Sequence, residues 1–185
     1  RDRSTNSGVT LVGKSDWRES WFGKVPIGGP EGPPNYSHAD HHDIAWHPTD
    51  PDVVYFANDG GIFRSTDSCE TFEGLNGGYQ TTQFYAGFSS STRDADLAIG
   101  GMQDNYTAIH DGGGAWTRVV GGDGAWTAID PYNDDRLYAS AQSLYLFRSA
   151  DAGSTWTEIT PDPMIGQPGF IAPYALGGPL ANQRI

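Results

Sequence analysis

Four of the chain's five histidines fall within "HADHHDIAWHP", residues 38 to 48, interleaved with Asp40 and Asp43. Imidazole and carboxylate at this density can ligate a transition metal, move a proton, or contact a bound ligand. They can also simply hydrogen-bond neighbouring loops and hold a long connection in place. His41 and His42 are adjacent, so at a strand entrance they point apart, and no helical His-Glu-x-x-His spacing accompanies them. Three more carboxylates stand in glycine-rich surroundings: Asp59 in "NDGG", Asp104 in "MQDN" and Asp123 in "GGDG". Such groups cap turns; in a pair about 5 to 9.5 Å apart they can cleave a glycosidic bond, with Asp59 and Asp104 the candidate pair here. Asp59, Asp104 and Asp123 could also hold calcium, a hard ion that takes oxygen ligands, although no EF-hand pattern is present.

What positions these residues is a repeat. "STDSCETF" at 65 to 72 and "SADAGSTW" at 149 to 156 share one eight-residue pattern, and "IHDGGGAW" at 109 to 116 is a degenerate copy between them. Asp67, Asp111 and Asp151 are each followed five residues later by an aromatic: Phe72, Trp116 and Trp156. The period is 44 and then 40 residues. Ahead of each copy, "DIAWHPTDPDVVYFAND", "FYAGFSSSTRDADLAIGGMQD" and "TAIDPYNDDRLYASAQ" read as strand, Asp/Pro/Asn turn, strand; "GIFRSTD", "YTAIHD" and "YLFRSAD" then supply a third strand, and "TFEGLN", "AWTRVV" and "TWTEIT" a fourth. Four short strands every 40 to 45 residues is the length of a β-propeller blade. The predicted organisation is the end of a preceding blade with a long Pro/Gly-rich connection over 1–42, blades over 43–83, 84–125 and 126–169, and the start of another over 170–185. About three complete blades cannot close a ring that usually needs four to eight, so the chain reads as part of a longer polypeptide, which is then one of its partners.

Composition agrees and narrows the function. The chain has 25 glycines and 12 prolines scattered between Val-, Ile-, Tyr-, Phe- and Trp-rich runs, as expected of many strands and turns. A formal charge of −12 opposes a phosphate backbone, so nucleic acid is excluded as an expected partner. No run approaches the roughly 18 apolar residues of a membrane span. The single cysteine, Cys69, rules out an internal disulfide.

The pattern Ser-x-Asp-x-Gly-x-Thr-Trp, complete at Ser149, Asp151, Gly153, Thr155 and Trp156 and partial at Ser65, Asp67 and Phe72, resembles the Asp-box, or bacterial neuraminidase repeat. In that family the motif is the turn between the third and fourth strands of a blade. Its aspartate accepts backbone amides, its glycine permits positive φ, and its aromatic packs between blades. Together with "HHDIAWHPTDPDVVYFANDGGIFRSTD", "TTQFYAG" and "GGMQDN", it is similar to extracellular bacterial propellers of sortilin-like and xyloglucanase-like type. The resemblance implies an all-β, secreted or cell-surface module that needs no cofactor.

If these turns occupy one face, the loops between second and third strands and the connections between blades share the opposite one. That face collects His38, Asp40, His41, His42, Asn58, Asp59, Gln103, Asp104, Asn105 and Asp123, with Tyr36, Tyr79, Tyr106 and Trp126 as stacking candidates. His47 falls on the other side. The leading expectation is that the loop face binds a glycan, an extracellular polymer or a protein partner. A glycoside hydrolase and a purely structural component of an assembly are the alternatives. A sialidase is disfavoured, because that chemistry uses a nucleophilic Tyr beside an arginine triad, whereas Arg64 and Arg148 precede the turn serines.

Overall fold

A computed structural model describes residues 2–17, 22–26, 33–77, 83–85, 87–162 and 166–177. Strands β1 (Asp2–Arg3) and β2 (Val12–Gly13) form a short ribbon, and β3 (Phe22–Pro26) follows. Strands β4 (His41–Trp46), β5 (Val54–Asn58), β6 (Gly61–Ser65) and β7 (Glu73–Gly74) make a four-stranded antiparallel sheet in chain order. A second is built from β8 (Ser89–Ser90), β9 (Leu97–Gly101), β10 (Thr107–Asp111) and β11 (Thr117–Val120), and a third from β12 (Thr127–Asp130), β13 (Asn133–Ala141), β14 (Tyr145–Ser149) and β15 (Thr157–Glu158). The fold is all-β, and its sheets are the blade-like four-stranded meanders expected of a β-propeller. One feature of the amino-terminal region differs from a simple preceding blade: β3 joins the outer edge of β11, so the middle sheet has five strands.

The chain divides into two compact units, residues 1–19 with 26–80 and residues 20–25 with 81–185. In the first, the alternation of Val54, Phe56 and Asn58 with half-buried Tyr55 and Ala57 turns one sheet face inward. Val54, Phe56 and Phe63 pack there with Phe72 and Tyr36. In the second, Leu97, Ile99 and Ile109 of one sheet meet Leu137, Ala139 and Phe147 of the next, with Ile129 and Trp156 at the margin.

Short polar side chains close the turns between first and second strands. His47 Nδ1 accepts the amides of Thr49 and Asp50 at 3.4 and 3.2 Å, so this histidine serves the turn. Asp130, fully buried, takes the Tyr132 amide at 2.9 Å and faces Arg136 at 3.4 Å.

The turns after the third strands explain the repeat. Ser149 Oγ accepts the amides of Asp151 and Gly153 and donates to Asp151 Oδ1 at 2.8 Å; the Asp151 carboxylate then takes the Thr155 amide and hydroxyl at 2.8 and 2.6 Å. Ser65, Asp67, Cys69 and Thr71 reproduce this set. Cys69 sits at φ 68° where Gly153 has φ 83°, so the substitution keeps the left-handed turn despite its Cβ. The middle copy is built differently. There Ile109 stands in the serine position and offers no hydroxyl, and the next residue, His110, donates its Nδ1–H to the Asp96 carbonyl at 2.8 Å.

These bonds set an acid limit on stability. The Asp151 carboxyl is held at about 2 by the Thr155 hydroxyl and amide and the Ser149 hydroxyl. For Asp67, burial pushes upward, but the Thr71 hydroxyl and amide, the Ser65 hydroxyl and the Glu70 amide outweigh it and bring the carboxyl to about 2. A carboxyl depressed in the folded state stabilises above its unfolded pKa, and that contribution disappears as pH falls through the folded value. The melting temperature is therefore expected to fall between about pH 4 and pH 2, and to fall less steeply in an Asp67→Asn, Asp151→Asn double variant that is already less stable at neutral pH. Equal slopes for the two proteins would contradict this.

Candidate functional site

In the first unit, the turn between β5 and β6 and the entrance of β4 carry the histidine cluster. A bulge between His41 and Asp43, opposite Asn58 and Ala57, lets the adjacent imidazoles diverge. His41 turns inward, edge-on to the Phe56 ring at 5.7 Å, with Nε2 3.5 Å from Ser37 Oγ. Its Nδ1 is buried with no hydrogen-bond partner. His42 turns outward, and its Nε2 meets Asp59 Oδ1. Asp40, exposed and at φ 51°, shapes the bend before them.

Two residues expected to meet a ligand serve the fold instead. His38 is 5% exposed, and its ring lies against Gly60, where an added Cβ would come within 2.5 Å of it. Asn58, 7% exposed, donates to Ser37 Oγ and the His38 carbonyl at 3.4 and 3.3 Å and accepts the Gly60 amide at 3.0 Å. Asn76 continues the network, donating to the Gly60 carbonyl at 2.7 Å. Buried polar groups need such partners, which is why these side chains are committed inside. Tyr36 is corrected likewise: it is 2% exposed, its ring 6.0 Å from Phe63. Tyr79 lies outside the described residues.

The second unit brings its loop residues together. Asp123 Oδ1 accepts the Asp104 amide at 3.1 Å, and the Asp123 amide donates to Gln142 Oε1 at 3.0 Å. One carboxylate thus ties the β9–β10 loop to the connection between sheets, and that connection to the β13–β14 loop. Gly124 makes this approach feasible, since a Cβ there would lie 2.1 Å from the Tyr106 carbonyl oxygen. Tyr106 stacks on the Arg118 guanidinium, 4.4 Å from the ring centroid. Asn105 Nδ2 donates to the Gln103 carbonyl at 3.1 Å, and the Gln103 side chain is exposed. The half-buried Trp126 holds β13 through its carbonyl, which accepts the Ser140 amide and hydroxyl at 2.8 and 3.2 Å.

Tyr85 and Arg118 belong to this neighbourhood and were not singled out from the sequence. The Tyr85 phenol is pushed above its ordinary range by burial and by the negative charges of Asp123 and Asp104. Tyr85 reads as an ordinary strand aromatic in "FYAGF", and Arg118 as an ordinary alternating position in "TRVV". Among the described residues no group of three or more His, Cys, Asp or Glu side chains is placed to hold a metal ion. No helix of the described residues is long and apolar enough to cross a membrane.

No protein-family model matches the chain, and no curated protein sequence does. Among solved structures, an ancestral GH74 enzyme is similar at 14% identity and a TM-score of 0.36, covering 70% of this chain and 19% of its own. A GH74 enzyme of Niastella koreensis is similar at 18% identity and 0.36, covering 85% and 26%. YCF48 from Cyanidioschyzon merolae follows at 16% and 0.31, covering 74% and 40%. The chain spans less than half the length of each, and at these scores the fold rests on the chain's own strand pairing.

Proposed function

We propose that the chain is a set of blades from a secreted Asp-box β-propeller, and that the loop face of its second unit binds a glycan of an extracellular polymer. The observation that carries this is the Asp104–Asp123–Gln142 linkage in loops held at unfavourable backbone angles. Asp104, Tyr106, Ser143 and Leu144 all have positive φ, at 57°, 70°, 58° and 60°. For a residue as bulky as tyrosine such a conformation costs on the order of 1–3 kcal/mol, and it persists where the surroundings over-determine it, often at ligand clamps. The chemistry suits a sugar. Carboxylate, carboxamide and backbone groups exchange hydrogen bonds with hydroxyls, and aromatic rings such as Tyr106 and Trp126 accept the apolar face of a pyranose.

The test is calorimetry and affinity electrophoresis against a panel of neutral and acidic polysaccharides, with reducing-end release measured in parallel. Binding is expected, and Tyr106→Ala is expected to weaken it about five- to tenfold while the protein remains folded. Release of reducing ends that disappears in Asp104→Ala would assign a glycoside hydrolase instead. Failure to bind any member of the panel removes the glycan reading and leaves a protein-docking or structural blade set.

A further inference from the structure

We propose that the binding face of the second unit continues over the β13–β14 loop onto Tyr145 and Phe170, two aromatic residues that extend the site along a polysaccharide chain. This rests on the glycan reading of that face given above.

Hydrogen bonds set the loops in a row. The Asp104 amide reaches Asp123 Oδ1 at 3.1 Å, the Asp123 amide reaches Gln142 Oε1 at 3.0 Å, and the Ser143 amide reaches the Phe170 carbonyl at 2.8 Å. Each of the four segments is therefore bonded to the next. At about 5 Å per hydrogen-bonded step the row spans roughly 15 Å, long enough for several sugar rings and too long for one.

The row is polar in its middle and aromatic at both ends. Tyr106 lies in the same loop as Asp104, and Phe170, 54% exposed, lies at the far end. Tyr145 stands beside Phe170's anchor. It pairs with Ala141, the residue before Gln142, and shares a sheet face with Phe147 two positions on. Phe147 is 3% exposed and packs with Leu97, Ile99 and Ile109 of the neighbouring sheet. Tyr145 is turned to that same neighbour one step nearer the loop, where it is 48% exposed.

The backbone beneath these rings is fixed. Ser143 and Leu144 hold φ of 58° and 60°, angles that non-glycine residues keep only when their surroundings impose them. Exposed rings on a fixed backbone lose little further freedom when a ligand covers them, so their apolar area goes into affinity. Between the rings, Asp123 and Gln142 suit hydroxyl groups. Their carboxylate neighbourhood, in a chain of formal charge −12, opposes a uronate or sulfated polymer, so the chain that fits is neutral.

The intact protein is titrated with three- and six-residue oligosaccharides of cellulose, β-1,3-glucan, mannan and xylan, and with the parent polymers. At least one hexamer is expected to bind about tenfold or more tightly than its trimer. Tyr145→Ala and Phe170→Ala are each expected to weaken the hexamer about five- to tenfold and the trimer less than about twofold, at the parent melting temperature. Tyr132→Ala, an exposed tyrosine at the opposite end of β13, is the control and changes neither. A hexamer no tighter than its trimer, a bound polymer indifferent to both variants, or variants that lower the melting temperature instead would overturn the extension and leave the glycan reading standing. No binding of any oligosaccharide or polymer would remove both.

Discussion

Gly124→Ala is expected to destabilise the second unit by about 3 kcal/mol or more, lowering the melting temperature by about 10 °C, and to abolish the polysaccharide binding proposed for the loop face. A Cβ at this position would stand 2.1 Å from the Tyr106 carbonyl oxygen, 2.6 Å from its carbon and 2.8 Å from Gly101 Cα. All three are backbone atoms, so no rotamer change relieves the contact. The strands must separate, or the Tyr106 loop must move. Either outcome breaks the Asp104–Asp123 bond, because Asp123 directly precedes Gly124 in the chain. Gly114→Ala is the matching control, since its added Cβ would meet nothing within 4 Å, and it should shift stability by less than about 0.5 kcal/mol. Thermal melts of the two variants decide the matter; equal melting temperatures would refute the close approach.

Phe56→Ala is expected to cost about 3–5 kcal/mol in urea unfolding. The side chain is 2% exposed and meets Phe72 and His41 with ring centroids 5.6 and 5.7 Å apart. Ala139 holds the same register position in β13, so alanine is compatible with the strand itself. There a neighbouring sheet fills the space; beside Phe56 the filling is the phenyl ring, and its removal leaves a cavity. Phe56→Leu, which restores most of the volume, should cost less than about 1.5 kcal/mol. If both substitutions lower the urea midpoint equally, the loss is not a cavity effect.

The order of strands was legible because it is written locally. Alternation along "VVYFAN", the Asp/Asn turns and the serine-to-threonine spacing of the boxes all act within a few residues, and strands β4 to β15 follow them. The turn after β10 was less legible, because a register shift beside Thr107 and Ala108 accompanies a copy in which Ile109 replaces the serine and His110 reaches the Asp96 carbonyl instead. Burial across long separations left no local mark. His38 and Tyr36 read as polar and aromatic loop residues, and what buries them is the β5–β6 turn and Phe63, more than 20 residues later. Of the loop-face candidates, Asp104 and Asp123 are joined by a direct bond, and His42 and Asp59 by another. Tyr85 and Arg118 became visible only with the tertiary arrangement, since a charge facing a phenol and a ring over a guanidinium are facts of space.

The strand pairings also say something about folding rate. Every pairing within the β4–β7 sheet, the β8–β11 strands and the β12–β15 sheet joins neighbours in the chain. Contacts of short sequence separation cost little loop-closure entropy and form early, so each meander can nucleate on its own Ser-x-Asp turn without waiting for the others. Strand β3 is the exception, because its partner β11 begins at Thr117, long after Pro26. In a chain synthesised from its amino terminus, β3 must wait, unpaired, until the whole middle sheet has emerged; that closure is the slow and exposed step of an otherwise locally organised fold.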